Sequence, residues 1–368
     1  MSSFPIFLHK ISTTVPENVY TQEFTLDFMK RLVGKTEALQ KILTRIYQAT
    51  VIEKRHSVIS DYNKDPSEYT FYPKNAAMNP EPGTLERNNL FIREANVLSL
   101  KSCQTLLQKL QIFPDQITHL LTVSCTGFSA PGFDLHLIKH LKLSPSITRF
   151  HLGFMGCYAG FSALKLAHTL CLAHPNAKVL IVHVELCTLH FQQKTDMDTL
   201  IANAIFADGV ASALVSRNLA DSSDSRYCLR HFHSCTLPDS EMEMTWGIGN
   251  FGFDMHLSAH IPKILALHIA PVFQNLLQVM QLSREDIRFW AIHPGGRAIL
   301  EKVQDALHLS KSDLIPSYEI LRRYGNMSSA TLLFLLDSIL SLPDTGLVFA
   351  AGFGPGLTLE TAVLEKIP

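Results

Sequence analysis

The chain has 368 residues, 46% of them apolar and 18% charged, with 32 Lys and Arg set against 33 Asp and Glu. That length carries two modest domains or one large fused one, with ample core. The near-neutral balance argues against a disordered chain and against a broad nucleic-acid footprint, so no nucleic-acid partner is expected and any basic patch must be local.

The N-terminal MSSFPIFLHKIST has too short an apolar run for a secretory leader, interrupted by Pro5 and His9, which points to a cytoplasmic protein. EALQKILTRIYQ has helical spacing and sets Lys41 and Arg45 one turn apart on one face, with Lys54 and Arg55 following. A solvated helix face accounts for these cations as well as an anion site does. TLERNNLFIREANVLSLKSCQTLLQKL predicts a long helix from Thr84. Strands are predicted at ITHLLTVSC, AKVLIVHVEL, GVASALVS, RFWAIHP and GLVFAAGF, and helices after Cys157 and after Asn326. Strand and helix patterns therefore alternate, the mark of a layered α/β fold. The longest apolar tract, residues 331–353, is broken by Asp337, Pro343 and Asp344, so no membrane span is expected.

A repeat lies under this alternation. DQITHLLTVSC, FMGCYAGFSALKLAHTL and VLIVHVEL in the first half correspond to EDIRFWAIHPGG, YGNMSSATLLFLLDSIL and LVFAAGFG in the second. Ile117 and Cys157 are 40 positions apart, Ile287 and Asn326 are 39 apart; from Cys157 to Val179 is 22 and from Asn326 to Leu347 is 21. A duplication explains this agreement, although α/β units often share such periods. It divides the chain into residues 1–225 and 226–368 and puts Cys157 and Asn326 at equivalent helix starts facing one another, with His293 near the end of the second half's strand.

Those three residues make a coherent chemical set. The seven cysteines show no CxxC pairing and read as reduced thiols. Cys157 stands among small residues where a loop becomes a helix; a buried structural thiol fits there, and so does a nucleophile, because the N–H groups of a helix start stabilise a thiolate. His293 can pair with the thiolate. Its Nε2–H and the Asn326 amide can donate to an enolate or oxyanion, and asparagine does so without adding negative charge. As alternatives, His293 can be a satisfied core histidine and Asn326 a helix cap. RHFHSC puts His231, His233 and Cys235 on one strand face, but a fourth zinc ligand is not evident, and no metal is expected. GFGPG, from Gly352, has no Walker or GxGxxG spacing, so a close backbone approach is the better reading than a phosphate loop.

With MGCYAG, WAIHPGGRAIL, YGNMSSATLLFLLD and GFGPGLTLE in this order, supported by SCTGFSAPGFD, VELCTLHF and AIFADGVASALV, the chain resembles the type III polyketide synthases, the chalcone-synthase-like branch of the thiolase superfamily. The resemblance runs from about residue 50 to the end. It implies a five-layer αβαβα thiolase-like fold and a homodimer. It also implies a cofactor-free acyltransferase that loads a starter from acyl-CoA onto Cys157 and extends it by decarboxylative Claisen condensation with malonyl-CoA. Release or cyclisation then gives a resorcinol, pyrone or related aromatic product. Cys157, His293 and Asn326 match the family's catalytic residues, and Phe206 matches one gating phenylalanine. Met255 stands where the second gate is usually aromatic, which softens the gate. Cys125, Thr126, Cys187, Leu189, Ser328 and Phe353 match pocket positions, and Trp246 replaces a glycine of the plant enzymes. Ala130 replaces a larger residue that reaches the partner's cavity. These departures point to a bacterial-type pocket. For the coenzyme A entrance the matching region offers Lys41, Arg45, Arg55 and Ala298, without a residue-for-residue fit. Two rival readings remain open here: an initiating β-ketoacyl-carrier-protein synthase, which lacks GFGPG, and a catalytically inactive binding subunit.

Overall fold

The computed structural model describes residues 4–217 and 225–368; the segment beside the expected boundary at 225 lies outside the described residues. The first half runs β1 (Phe7–Thr14), β2 (Asn18–Thr21), α1 (Gln22–Leu32), α2 (Glu37–Ala49), β3 (Lys54–Ser57), α3 (Thr84–Leu110), β4 (His119–Ser124), α4 (Phe133–Leu141), β5 (Thr148–Gly153), α5 (Ala159–Ala173), β6 (Lys178–Leu186), α6 (Met197–Ile205) and β7 (Asp208–Ser216). The second runs β8 (Arg226–Thr236), β9 (Met244–Gly249), β10 (Gly252–Leu257), α7 (Ile261–Met280), β11 (Ile287–Ile292), α8 (Arg297–Ala306), α9 (Ile315–Tyr324), α10 (Thr331–Leu340), β12 (Gly346–Gly354) and β13 (Thr358–Ile367). All five expected strands and the long helix from Thr84 are present.

The strands join in the order β11-β12-β13-β8-β1-β7-β6-β4-β5. Reading outward from the β1/β8 seam, both halves repeat one plan. β7 and β13 run antiparallel to the seam strands, β6 and β12 run antiparallel to those, and β4 and β11 then lie parallel to β6 and β12. The seam itself is short, with Phe7 opposite Cys228 and Leu8 opposite Tyr227.

Every residue of β4 and β7 is buried, which requires cover on both sheet faces, and the alternation of side chains says what covers each. Leu121, Val123, Val179, Ile181, Ala211 and Ala213 meet α5 and α10 in a central core that also takes in Phe289, Ala291, Val348 and Ala350 from the second half. Their neighbours Leu120, Leu180, Val182 and Leu214 face α3 and α4 in an outer core. On the other outer side Trp290, Ile292, Phe349 and Ala351 meet α7 and α8. Helix, sheet, helix, sheet, helix is the thiolase-like αβαβα arrangement.

One helix among the described residues, α7, is long and apolar enough by length and composition to cross a membrane. Here its Ile261, Leu265, Ile269, Phe273 and Leu276 repeat every three or four residues and form the stripe that faces the outer core.

Candidate active site

Cys157 follows β5 and precedes α5 by two residues, on a turn that only a particular backbone permits. Gly156 has φ +83°, and a Cβ there would sit 2.3 Å from Cδ of Pro355. GFGPG is therefore packed against the turn that carries Cys157, a close backbone approach. On the other side of the central layer, Asn326 precedes the short turn Ser328–Ala330 that leads into α10. Its Oδ1 lies 4.0 Å from Cys157 Sγ and accepts the Ser328 N–H at 2.9 Å, while its Nδ2 donates to Gly295 O at 3.3 Å. His293 follows β11 directly, with Phe353 edge-on at 6.4 Å between ring centroids. The duplication read from the sequence thus brings the thiol and the amide face to face.

One cavity of about 820 Å³ contains all three. Its wall includes Cys125, Thr126, Cys187, Phe206, Trp246, Met255, Ala298, Ser328 and Phe353, as expected. Burial governs the electrostatics. It pushes the Cys157 thiol up to about 12 and the His293 imidazole down to about 4, because each would be charged at the cost of desolvation. Both ring nitrogens of His293 are buried without a protein partner, so they are free for a ligand. Burial also raises Cys125 and Cys187 well above the ordinary thiol value, as it does Cys157, so all three thiols are protonated at rest.

Backbone hydrogen bonds tie the Phe206 segment to Asn326. Asn326 N–H donates to Ile205 O and Ala207 N–H to Asn326 O, both at 2.9 Å, bracketing Phe206. The β9–β10 hairpin supplies the opposite side. Met255 and Trp246 are direct cross-strand partners on it. Trp246 Nε1–H donates to Cys125 O at 2.7 Å, and its ring stands edge-on to His190 and Phe253 at 5.4 and 5.5 Å.

Four expectations are corrected. Leu189 does not line the cavity: the chain leaves β6 for a 3-10 turn over Cys187–His190, which turns Leu189 into the outer core and His190 into the wall. Lys41 and Arg45 are exposed and off the cavity wall, Lys41 pairing with Glu37 at 2.6 Å; α2 lines the site with Ile46, Tyr47, Ala49 and Thr50. Arg55 borders the cavity, yet its guanidinium is buried and donates to Gln22 Oε1, Asn203 O and Phe206 O at 3.1, 2.8 and 2.7 Å. It holds the Asn203–Phe206 segment rather than offering a free cation. Sequence reasoning also missed His190, whose Nε2 donates to Thr126 O at 2.8 Å and whose Nδ1 accepts Phe253 N–H at 3.1 Å; VELCTLHF contains it, one position past the residue chosen. The wall from α1, with Thr25, Phe28 and Met29, carried no sequence signal. Among the described residues there is no group of three or more His, Cys, Asp or Glu that could hold a metal ion.

Comparison with known proteins places the chain in a family. Residues 3–218 match the family model for chalcone and stilbene synthases, N-terminal domain, and residues 229–368 match the C-terminal domain. The chain belongs to the chalcone and stilbene synthase family. Among curated proteins, "Alpha-pyrone synthesis polyketide synthase-like Pks18" of Mycobacterium tuberculosis is 31% identical over 366 residues, covering 97% of this chain and 90% of that protein, and the Mycobacterium bovis protein matches equally. Among solved structures, PKS-I of the brown alga Ectocarpus siliculosus superposes with TM-score 0.91 at 28% identity over the whole of both chains. The C-terminal type III polyketide synthase domain of Steely1 from Dictyostelium superposes with TM-score 0.91 at 27% identity, covering 99% of this chain and 100% of that one. The protein is a bacterial-type type III polyketide synthase and an acyltransferase, so the carrier-protein synthase reading falls away.

Proposed function

We propose that this synthase loads an acyl group from acyl-CoA onto Cys157, extends it with malonyl-CoA, and releases a cyclised product, with Cys157, His293 and Asn326 as the catalytic residues. The observation that carries this is the meeting of Cys157 Sγ and the Asn326 amide, 4.0 Å apart, in an apolar cavity that also holds an unpartnered His293. His293 takes the Cys157 proton as the thiolate attacks the starter thioester, and the coenzyme A thiolate leaves. Malonyl-CoA then loses carbon dioxide, and the resulting enolate oxygen is held by His293 Nε2–H and Asn326 Nδ2–H. The Asn326 amide is held before the charge develops, by its bonds to Ser328 N–H and Gly295 O. The enolate carbon attacks the Cys157 thioester, and Sγ leaves with the bond's electron pair.

An α-pyrone product is favoured by the Mycobacterium relatives' name, although that name describes those proteins. The pocket roles follow from position: Phe206 and Met255 border entry, and Cys125, Thr126, Cys187, Trp246, Ser328 and Phe353 shape the chamber. Ala298, at the start of α8, borders the coenzyme arm. The halves are taken as 1–225 and 226–368. A homodimer is supported by β5, an edge strand exposed along its length and flanked by exposed Phe128 and Phe154, which is a template for pairing with a second copy. The scheme needs no metal or organic cofactor, the thioesters being substrates. Seven free cysteines suit a reducing cytoplasm.

The test is product analysis with a panel of acyl-CoA starters and malonyl-CoA, together with mass spectrometry of the enzyme after brief incubation with acyl-CoA. The acyl adduct is expected on the Cys157 peptide and absent from Cys157→Ala. An adduct on Cys125 or Cys187 that survives Cys157→Ala overturns the assignment, and wild-type enzyme that takes no acyl group at all is an inactive binding subunit.

A further inference from the structure

His183 and Glu185 lie two apart on β6, so both face the central helical layer. Each is fully buried, and neither belongs to the catalytic set. Ser329, on the turn leading into α10, stands between them. Its hydroxyl donates to Glu185 Oε1, and its Oγ lies 3.1 Å from His183 Nδ1. A hydroxyl has one proton. With that proton on Glu185, Ser329 has only lone pairs for His183, so Nδ1 carries the imidazole hydrogen and donates it. The free end agrees: His183 Nε2 is buried without a partner, and an unpaired acceptor costs less than an orphaned N–H.

The second Glu185 oxygen accepts Cys125 N–H at 3.0 Å and the Thr126 hydroxyl at 3.2 Å. Thr126 Oγ1 in turn accepts Leu186 N–H at 2.8 Å, which aims its own proton at Glu185. Thr126 lines the cavity. A single residue, Thr126, therefore stands between the carboxylate and the cavity that holds Cys157.

We propose that His183 is a positioning residue for product release: as an Nδ1–H imidazole it turns the Ser329 proton onto Glu185 and so keeps that carboxylate a proton acceptor, reached from the cavity through Thr126. This rests on the polyketide reading above. In release by lactonisation, once Cys157 Sγ has taken the extended chain back from coenzyme A, whose thiolate leaves, an enol oxygen of that chain attacks the Cys157 thioester carbonyl. The C–O bond forms as the C–S bond breaks, and Sγ keeps the electron pair. The enol proton passes to Thr126 Oγ1 while the Thr126 proton moves to Glu185. The titratable groups facing Glu185 are the thiols of Cys125, Cys157 and Cys187 and the His183 imidazole. Burial lifts the Glu185 carboxyl to about 7 against the pull of its hydrogen-bond donors. Burial also holds His183 down to about 3, so the imidazole is neutral wherever the enzyme works.

The experiment is the pH profile of steady-state kcat alongside single-turnover acylation of Cys157 at pH 8, on wild type and His183 variants. His183→Leu has no donor, His183→Asn places an N–H near the Nδ1 position, and His183→Gln places it near Nε2 instead. Because activity needs ionised Glu185, kcat falls as pH drops through its titration. Weakening the Ser329 donor in His183→Leu and His183→Gln should move that acidic limb upward by roughly half to one pH unit. His183→Asn should restore it, and acylation amplitude should stay within about twofold in all three. A limb that stays in place in a folded Leu or Gln variant, or that moves as far in the Asn variant, overturns the proposal. Failure of the wild-type enzyme to acylate Cys157 sinks the polyketide reading itself.

Discussion

Replacing Trp246 with glycine separates what the indole does for stability from what it does for product size. Its Nε1–H bond to Cys125 O, at 2.7 Å, contributes about 1 kcal/mol. The two edge-on contacts, with His190 and Phe253, add about 0.5–1.5 kcal/mol each at full burial. Trp246 is only half-buried, so the total should fall near the lower end, about 2 kcal/mol, rather than the 3–5 kcal/mol of a core aromatic. For a chain of this length that is a fall in Tm of about 3 °C. The indole borders the chamber that holds Cys157, and Trp246→Gly should therefore lengthen the products or widen starter choice. Trp246→Phe, which keeps a ring and loses the N–H, should take about half the stability loss and change products little. Calorimetry gives the first quantity, and chromatography with mass spectrometry over a starter panel gives the second. If Trp246→Gly folds, turns over normally and yields the wild-type products from every starter, the indole does not bound the growing chain and the steric argument is wrong.

Three further substitutions probe the rest of the site. Asn326→Ala should lower kcat about 10²–10³-fold with little change in KM, because the amide's bond strengthens only as the enolate forms; a rise confined to KM contradicts that role. Met255→Phe should slow bulky starters in competition assays without altering chain length, since it stiffens the entrance opposite Phe206 and leaves the chamber alone. Arg55→Met should lower Tm, leaving the Asn203 and Phe206 carbonyls unpaired at about 1–3 kcal/mol each, and should reduce kcat with the displaced gate. An Arg55→Met enzyme of normal stability with weakened binding of free coenzyme A would return Arg55 to the phosphates.

What could be read in the sequence, and what could not, divides along physical lines. The layered fold was legible because its inner strands are buried on both faces and so spell long apolar runs. The pairing of Cys157 with Asn326 was legible because duplicated spacing survives wherever strand and helix lengths do. Leu189 shows the limit. Its placement came from matching a family pocket position, and a 3-10 turn begins just where the wall does, so the neighbour His190 faces in. Arg55 shows another. A cation near an expected phosphate site looks the same in sequence whether its guanidinium meets solvent or three buried oxygens, because those partners come from residues 22, 203 and 206. The Trp246 bond to Cys125 joins positions 121 apart, and no local pattern encodes it.

The place of β1 bears on how the protein is made. This strand precedes every other described strand in the chain, yet it ends in the middle of the nine-stranded sheet, between β7 and β8, whose residues follow roughly two hundred positions later. Through most of synthesis the nascent chain holds a finished strand with both hydrogen-bonding edges unclaimed. Closure waits on contacts of very long sequence separation, and such contacts form slowly and leave aggregation-prone edges exposed meanwhile. Trimming the first fourteen residues, harmless in many proteins, would here split the sheet at its seam.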